Sequence, residues 1–512
     1  MPSMQQNENA RRDNGVLLIS LTSSLDNIGV KYLHSALLAN NIQSTVLFFP
    51  ADDVDEYTEP MKNFVKAGDF IMVGISLMSI AFEKAVKITR IIKSHSSVPV
   101  VWGGIHPTID PDSARTHADY FCVGEAEASL VEFVNRLKEG GEGPVLDVKG
   151  LNHSSQEGYT IAPSITNLDT LAFPHHHPPY AYVSDAKQIL PLDTRLFRKH
   201  ARYHGSQLTV ISSRGCPFKC SFCCNDLLKD TFGSKVRRRS PENVMRELEA
   251  NYYTSPVHIN YVDFYDDCLI SHPDKWIERF VNLYKKINVP LMFHAIPSFI
   301  TEHKMALLSS IPGGFALVGL QSGSEKTNAL VYKRKQTRET FIKAIEIIQR
   351  HGACGSYDII TENPYETEED WHKTIGLVSK LPRNTFITLY SLTFYKNTEL
   401  YRMALRDGLN VETHKTKSQG KVAHKSREVR AIRVGFIFGE AIAVNLLQRG
   451  DVVGNAALAV LAFVCQYFID PIRYIRLGYI SQGRNIPRFT KLLFSFSSHF
   501  LRNYVLAFSA RK

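Results

Sequence analysis

Three cysteines, Cys216, Cys220 and Cys223, stand in the spacing C-x3-C-x2-C, in a short loop that follows the apolar run Leu208 to Ile211. Thiolates spaced this closely can converge on one side of a loop and hold three corners of a cubane iron–sulfur (4Fe-4S) cluster. The fourth iron then lacks a local protein ligand and is open to a small molecule. Gly215 and Pro217 suit the turn, one tolerating positive φ and the other fixing its own. A zinc site or a set of buried thiols is the alternative. Zinc normally takes four ligands, commonly as two close pairs, and no second Cys/His pair of that kind stands out. Cys224 adjoins the motif out of register and reads as a packed or spare thiol. Cys268 and Cys354 read as core residues.

Other polar residues cluster where apolar runs end. Gly74-Ile75-Ser76, Trp102-Gly103-Gly104-Ile105-His106-Pro107-Thr108 and Gly124-Glu125-Ala126-Glu127 each close a short apolar run in the first third of the chain. Glycines there let a flat ligand lie close to the backbone. His106 either touches such a ligand or caps a turn. Further on, Tyr265-Asp266-Asp267, Gly319-Leu320-Gln321-Ser322-Gly323-Ser324 and the segment from Asp358 to Thr367 follow or end apolar runs. An acidic pair such as Asp266-Asp267 can hold an ammonium by charge-assisted hydrogen bonds, or one of the two can cap a helix. His175, His176 and His177 are flanked by prolines, cannot all face one ion, and read as a solvated or substrate-edge loop.

These residues need elements to position them. In the first third, strand-like runs at 16–21, 44–49, 70–75, 98–102 and 120–123 are joined by helical spacing at 28–38, 80–93 and 128–137. That alternation indicates an α/β fold with an open, doubly wound parallel sheet, which binds ligands beyond the carboxyl ends of its strands. Periodicity fades between 139 and 204, which reads as a linker. From 205 to 410 six strands alternate with helices, as in a partial (β/α) barrel of TIM-like type, where catalysis also sits at the carboxyl ends. The chain therefore divides into a leader (1–14, polar and disordered), a first domain (15–140), a linker (141–204), a partial barrel (205–410) and a basic, apolar, α-helical tail (411–512).

With 512 residues, 44% hydrophobic and 21% charged, the chain is long enough for two or three domains with full cores. Its eight cysteines have no regular framework, which argues against a disulfide scaffold, and a low-potential cluster needs a reducing compartment. Met1 to Asn14 has no apolar core of the signal-peptide kind. A cytoplasmic location is expected. The formal charge of +10 is concentrated beyond residue 410. There Lys415, Lys417, Lys421, Lys425, Arg427, Arg430 and Arg433 precede two apolar runs, and Arg473, Arg476, Arg484, Arg488, Lys491 and Arg502 interleave with aromatics. No nucleic-acid partner is expected. A membrane surface is, with the tail lying on the inner face; a helical cap on the barrel is the alternative, and a membrane span is disfavoured.

The cysteine loop resembles that of the radical S-adenosylmethionine (radical SAM) superfamily, and the segments G-G-I-H-P-T and V-G-E-A-E resemble the cobalamin-binding domain that precedes the barrel in one large subclass. The resemblance implies three cofactors: a 4Fe-4S cluster on Cys216, Cys220 and Cys223, SAM on its open iron, and cobalamin. It implies SAM contacts from Phe222, beside the adenine, from Asp266 and Asp267 near the amino group, and from Gln321 and Ser322. It implies cobalamin contacts from Ser76, Gly103, Gly104, His106, Gly124 and Glu125. The D-x-H-x-x-G motif, whose histidine coordinates cobalt in some cobalamin enzymes, is absent; Asp26-Asn27-Ile28-Gly29 stands near its place. Three barrel motifs depart from the family: Gln321 replaces a glutamate, Glu362 a glycine in D-x-I-x-G-x-P-x-E-T, and Lys396-Asn397 the Pro-Gly of P-G-T-x-L.

The activity implied is radical methyl transfer to an unactivated carbon of a small, lipophilic molecule, with an electron donor such as a flavodoxin or ferredoxin as partner. Cyclisation or rearrangement without methyl transfer, and a non-catalytic cobalamin or redox sensor, are the alternatives.

Overall fold

The computed structural model describes residues 15–140, 143–311, 313–382, 385–411, 426–465 and 469–470. The leader, the basic residues Lys415, Lys417, Lys421 and Lys425, and the basic–aromatic stretch from Arg473 to Arg502 lie outside them. The chain forms two compact units. The first runs to Gly205 and takes in two short later segments, Asp230–Gly233 and Thr254–Val257.

In the first unit β1 (Gly15–Ser20), α1 (Ile28–Ala39), β2 (Ser44–Phe48), α2 (Thr58–Gly68), β3 (Phe70–Ser76) and α3 (Phe82–Lys93) alternate as the apolar rhythm requires. Then come β4 (Val100–Gly103), α4 (Ile105–Ile109), α5 (Pro111–Arg115), β5 (Tyr120–Cys122) and α6 (Ala126–Glu139). All six residues of β1 are buried. Val16 and Leu18 pack into one core, while Leu17 and Ile19 pack into another. This explains why the strand reads as a continuous apolar run: it is covered on both faces.

The segment expected as a linker instead extends this sheet. It supplies β6 (Leu151–His153), β7 (Ala181–Asp185), β8 (Gln188–Pro191) and the helix α7 (Thr194–His200). The eight strands lie in the order β6-β5-β4-β3-β1-β2-β7-β8, antiparallel only at the two edges. Of the three histidines only His175 is exposed; the other two are not in a solvated loop. His176 is 7% exposed, its Nε2 lies 2.9 Å from the Gly205 carbonyl, and both His176 and His177 pack edge-on against Phe197.

The second unit opens with β9 (Gln207–Val210). A short antiparallel pair, β10 (Ser213–Arg214) and β11 (Arg237–Arg238), flanks α8 (Cys224–Phe232). Then α9 (Pro241–Thr254), β12 (Tyr261–Phe264), α10 (Asp274–Tyr284), β13 (Leu291–Ala295), α11 (Glu302–Ser309) and β14 (Phe315–Gln321) follow. The series closes with α12 (Arg338–Arg350), β15 (Cys354–Thr361), α13 (Glu368–Val378), β16 (Thr385–Ser391) and α14 (Glu399–Arg406). Six parallel strands stand in chain order, β9-β12-β13-β14-β15-β16, with no crossing over. This is the partial barrel expected.

Its strands alternate with period two. On β13 and β14 the fully buried residues (Leu291, Phe293, Ala316, Val318, Leu320) pack into the core that also holds Phe341 and Ile345 of α12. The residues between them (Met292, His294, Leu317, Gly319, Gln321) keep partial exposure and line the inner side.

Three helices end the described chain: α15 (Arg427–Phe438), α16 (Glu440–Arg449) and α17 (Val452–Val464). α15 packs on α13 so closely that a Cβ on Gly435 would lie 2.6 Å from Ile375 Cγ2. Among the described residues no helix is long and apolar enough to cross a membrane.

Candidate active site

The cysteine loop leaves β10 at Gly215, whose φ of 101° confirms the left-handed turn expected there. Cys223 N–H donates to Cys220 O at 3.0 Å, and α8 begins one residue later. Cys223 thus stands at a helix N-terminus, with the Asn225 backbone N–H turned toward it, an influence toward the thiolate that Cys224 and burial outweigh. The loop is held from three sides. Ser221 N–H donates to Tyr332 O at 3.1 Å, Ser221 Oγ–H to Val331 O at 2.5 Å, and Leu400 N–H to Ser221 O at 2.9 Å. Phe222 packs edge-on against Tyr332, ring centroids 5.2 Å apart.

The donor set fits a cluster. Burial pushes the Cys216 and Cys220 thiols up to about 11, so metal must displace their protons. A hydrogen bond with Cys224, and then burial, raises Cys223 as well. Opposing this is Arg334, 7% exposed, whose guanidinium acts electrostatically on all three cysteines and on Cys268. A buried, permanently charged cation facing three thiols suits a group held by thiolates. Among the described residues no three His, Cys, Asp or Glu side chains are gathered to hold a single metal ion.

Sequence reasoning missed Arg334, which lies in a loop with no periodic signal. Its position follows from Gly319. A Cβ there would lie 2.4 Å from Gln321 Nε2 and 3.0 Å from Arg334 Nη1, so the absent side chain makes the room both occupy. Arg334 Nη2 donates to Gly319 O at 3.1 Å and to Gln336 Oε1 at 2.9 Å. Gly319→Ala is therefore expected to push Gln321 and Arg334 aside at a cost of about 1–3 kcal/mol, and to shorten cluster lifetime under a chelator. An unchanged loss rate would show that Arg334 does not guard the cluster.

Asp358 was within a recognised motif but had no role. It stands in register with Gly319 on one side and Thr388 on the other, and burial pushes its carboxyl up to about 7 against the opposing influence of Thr388 and Arg334.

The acidic pair divides its work. Asp266 is 1% exposed and accepts from Ser212 N–H at 3.0 Å, from Ser212 Oγ–H at 2.7 Å and from Ser213 Oγ–H. Burial opposes its charge, but hydrogen bonds and His272 outweigh that and hold the carboxyl below its usual range. It anchors the entry to the cysteine loop; neither an ammonium contact nor a helix cap is needed to explain it. Asp267 is the exposed member and accepts from Asn225 Nδ2 at 2.7 Å; desolvation by the protein around its carboxyl, with Asp266 adding to it, holds it above the usual range against the Asn225 hydrogen bond. It is the member open to a ligand.

The family departures keep the backbone. Gln321, Glu362 and Asn397 have φ of 67°, 56° and 67°, so Glu362 and Asn397 hold the left-handed conformation that glycine supplies in the motif. Ser322 Oγ–H donates to Glu366 Oε1 at 2.5 Å, and Asn363 Nδ2 donates to the Tyr332 hydroxyl at 3.0 Å.

In the first unit the strand order reverses between β1 and β3, the switch point where open sheets bind ligands. Asn27, which caps α1 through Val30 N–H, reaches Ser76 Oγ across this point at 3.5 Å. Gly104 has φ of 98°, and a Cβ on it would meet Leu77 O at 2.9 Å. Thr108 Oγ–H donates to Gly104 O at 2.9 Å and its Oγ accepts from Gly124 N–H at 3.2 Å, tying these loops together. Gly103 pairs with Ser76. These loops thus gather at the carboxyl end of the sheet, on the side where open sheets of this order take ligands.

Two expected contacts are otherwise occupied. His106 is 6% exposed, with Nδ1 3.0 Å from Ser79 Oγ and Nε2 2.9 Å from Ser113 Oγ. It secures the junction of α4 with its neighbours through two serine hydroxyls. Glu125 Oε2 accepts from Ile165 N–H at 2.9 Å.

A parallel partial barrel with a three-cysteine loop at the carboxyl end of its first strand defines a radical SAM protein, joined here to a cobalamin-type sheet. The comparisons agree. Residues 15–134 match the B12 binding domain and residues 210–378 the Radical SAM superfamily. The chain belongs to the radical SAM superfamily and carries a B12-binding domain; it is a radical SAM enzyme whose cofactors are the iron–sulfur cluster, SAM and cobalamin.

Among its relatives, an uncharacterized methyltransferase of Pyrococcus horikoshii is 25% identical over 354 residues, 67% of this chain and 72% of that one. The bacteriochlorophyllide d C-8(2)-methyltransferase of Chlorobaculum tepidum is 25% identical over 370 residues, 70% and 72%. The solved radical SAM methyltransferase TsrM of Kitasatospora setae superimposes with a TM-score of 0.60 at 16% identity, covering 76% of each chain. That likeness establishes the fold.

Proposed function

We propose that the chain is a cobalamin-dependent radical SAM methyltransferase that alkylates an unactivated carbon of a small, lipophilic substrate. The observation that carries this reading is the pairing, in one chain, of the Arg334-faced cysteine loop with a sheet that matches the B12 binding domain and whose loops gather at its switch point. When bound, the cofactors supply a 5′-deoxyadenosyl radical, formed by reductive cleavage of SAM, and a methyl group carried by cobalamin.

The chain's own residues bind and orient. Cys216, Cys220 and Cys223 hold the cluster, and Arg334 offsets its charge. Asp267 accepts from the SAM ammonium. Phe222, Ser322 and Gln321 flank the remaining parts of SAM. Ser76, Gly103, Gly104 and Gly124 provide the backbone cradle for cobalamin, and Asp358 faces the substrate from the inner side of the barrel. Support for a lipophilic substrate comes from the relatives, among them the bacteriochlorophyllide methyltransferase. A flavodoxin or ferredoxin as reductant, and action in the cytoplasm at the inner face of the membrane, belong to the same proposal.

The test uses SAM deuterated on its sulfonium methyl, with anaerobically reconstituted protein and a lipid extract. A compound of the extract should acquire the labelled methyl on carbon. Deoxyadenosine without any labelled product would instead indicate cyclisation or rearrangement, an outcome to weigh because a magnesium-protoporphyrin IX monomethyl ester cyclase of Rubrivivax gelatinosus is 23% identical over 360 residues.

A further inference from the structure

The C-terminal helices place one carboxyl against the barrel's working end. Glu428 lies in the first turn of α15 and is 3% exposed. Its Oε2 accepts from Glu362 N–H at 2.9 Å, at the residue that holds left-handed backbone where the motif has glycine.

From Glu362 the loop continues to two SAM-side residues. Asn363 holds the Tyr332 hydroxyl, and Tyr332 packs on Phe222 beside Cys223. Glu366 accepts from Ser322. The anchor is firm, since α15 is locked on α13 at Gly435. We propose that Glu428 is a positioning residue for the loop Glu362–Glu366, so that α15 helps shape the SAM pocket. This rests on reading Phe222 and Ser322 as SAM-side residues.

The surroundings make the arrangement proton-dependent. Glu362 and Glu366 face Glu428 from the loop and Tyr332 from the segment before α12, while Arg427 on its own helix is committed to Leu447 O. Burial, with Glu366 and Glu362 adding to it, pushes Glu428 up to about 8; burial pushes Glu366 up to about 7. Both lie above their ordinary values, so the folded arrangement keeps protons that an unfolded chain gives up near 4.5. The stabilisation they allow is complete below that value and is lost as pH rises through about 7 and then about 8. Above that range two carboxylates repel each other and the loop is released.

The test is equilibrium dialysis of SAM on full-length, cluster-loaded protein without reductant, from pH 7 to 9. Wild type should bind more weakly as pH rises. Glu428→Ala should bind about tenfold more weakly at pH 7 with unchanged iron content. Glu428→Gln, which still accepts from Glu362 N–H, should bind like wild type at pH 7 and depend less on pH. If Glu428→Ala loses its fold, the Glu428→Gln pH profile decides. Alanine binding equal to wild type, or a glutamine profile parallel to wild type, overturns the proposal and leaves the enzyme reading standing. A loaded wild type that binds no SAM overturns both.

Discussion

Cys220→Ala is expected to yield a folded chain that holds no four-iron cluster and releases no 5′-deoxyadenosine above background. Cys220 is one of three protein ligands, and two thiolates cannot hold the three corners that leave a single iron open. The fold should survive, because the loop is fixed through Ser221 rather than through the cysteine: Tyr332 O, Val331 O and Leu400 N–H all bond to Ser221. A partly buried thiol replaced by a methyl group costs about 1 kcal/mol. Iron analysis, visible absorption and product chromatography on one preparation check this. A variant that keeps a full complement of iron and turns over would remove Cys220 from the site.

The largest effect on stability is expected from Asp266→Ala. Removing this carboxylate strands Ser212 N–H and Ser213 Oγ in a buried setting, leaves Ser212 Oγ with only His272 Nε2, 2.9 Å away, and takes the opposing charge from His272. His272 can serve Ser212 Oγ alone, because it is itself 0% exposed and stacked on Trp276 with ring centroids 3.7 Å apart. Breaking a buried, charged hydrogen-bond network of this kind costs about 3–5 kcal/mol, a large part of the roughly 5–15 kcal/mol that holds a domain together. The denaturation midpoint of the cluster-free protein should fall accordingly, and cluster retention with it, since Ser212 and Ser213 lead directly into the cysteine loop. Asp266→Asn should lie between the two, because one amide oxygen still accepts. A midpoint equal to wild type would mean that Asp266 is not the anchor.

The sequence carries the barrel well because its strands obey simple rules. All but β13 are short apolar runs that end in or lead into a polar residue, and six such runs recur with helices between them. The cysteine loop is equally plain, being contiguous in the chain. What escaped the reading is non-local or weakly signalled. The hairpin of β7 and β8 turns at Ala186-Lys187, both with positive φ; that geometry usually announces itself by Asn-Gly or Asp-Gly, and here it does not. An extension of the sheet therefore read as a linker. Arg334 reaches the cysteines only because Gly319 vacates the space, and Glu428 meets Glu362 across 66 residues of chain. Asp266 and His106 had types and positions that suited ligands, but their polar atoms are occupied by serines that sequence alone could not place beside them. The altered motifs gave the opposite lesson. Glu362 and Asn397 differ from the family in side chain, yet they retain the backbone conformation that the motif glycines serve.

The central claim is that SAM is cleaved at the cluster and also feeds a methyl group through cobalamin. It is tested most directly by mass spectrometry of SAM products from anaerobically reconstituted full-length protein with reductant, cobalamin and a lipid extract, each omitted in turn. The account predicts 5′-deoxyadenosine and S-adenosylhomocysteine together, both lost when cobalamin is left out. Neither product from protein with an intact cluster, or deoxyadenosine alone and indifferent to cobalamin, would contradict it.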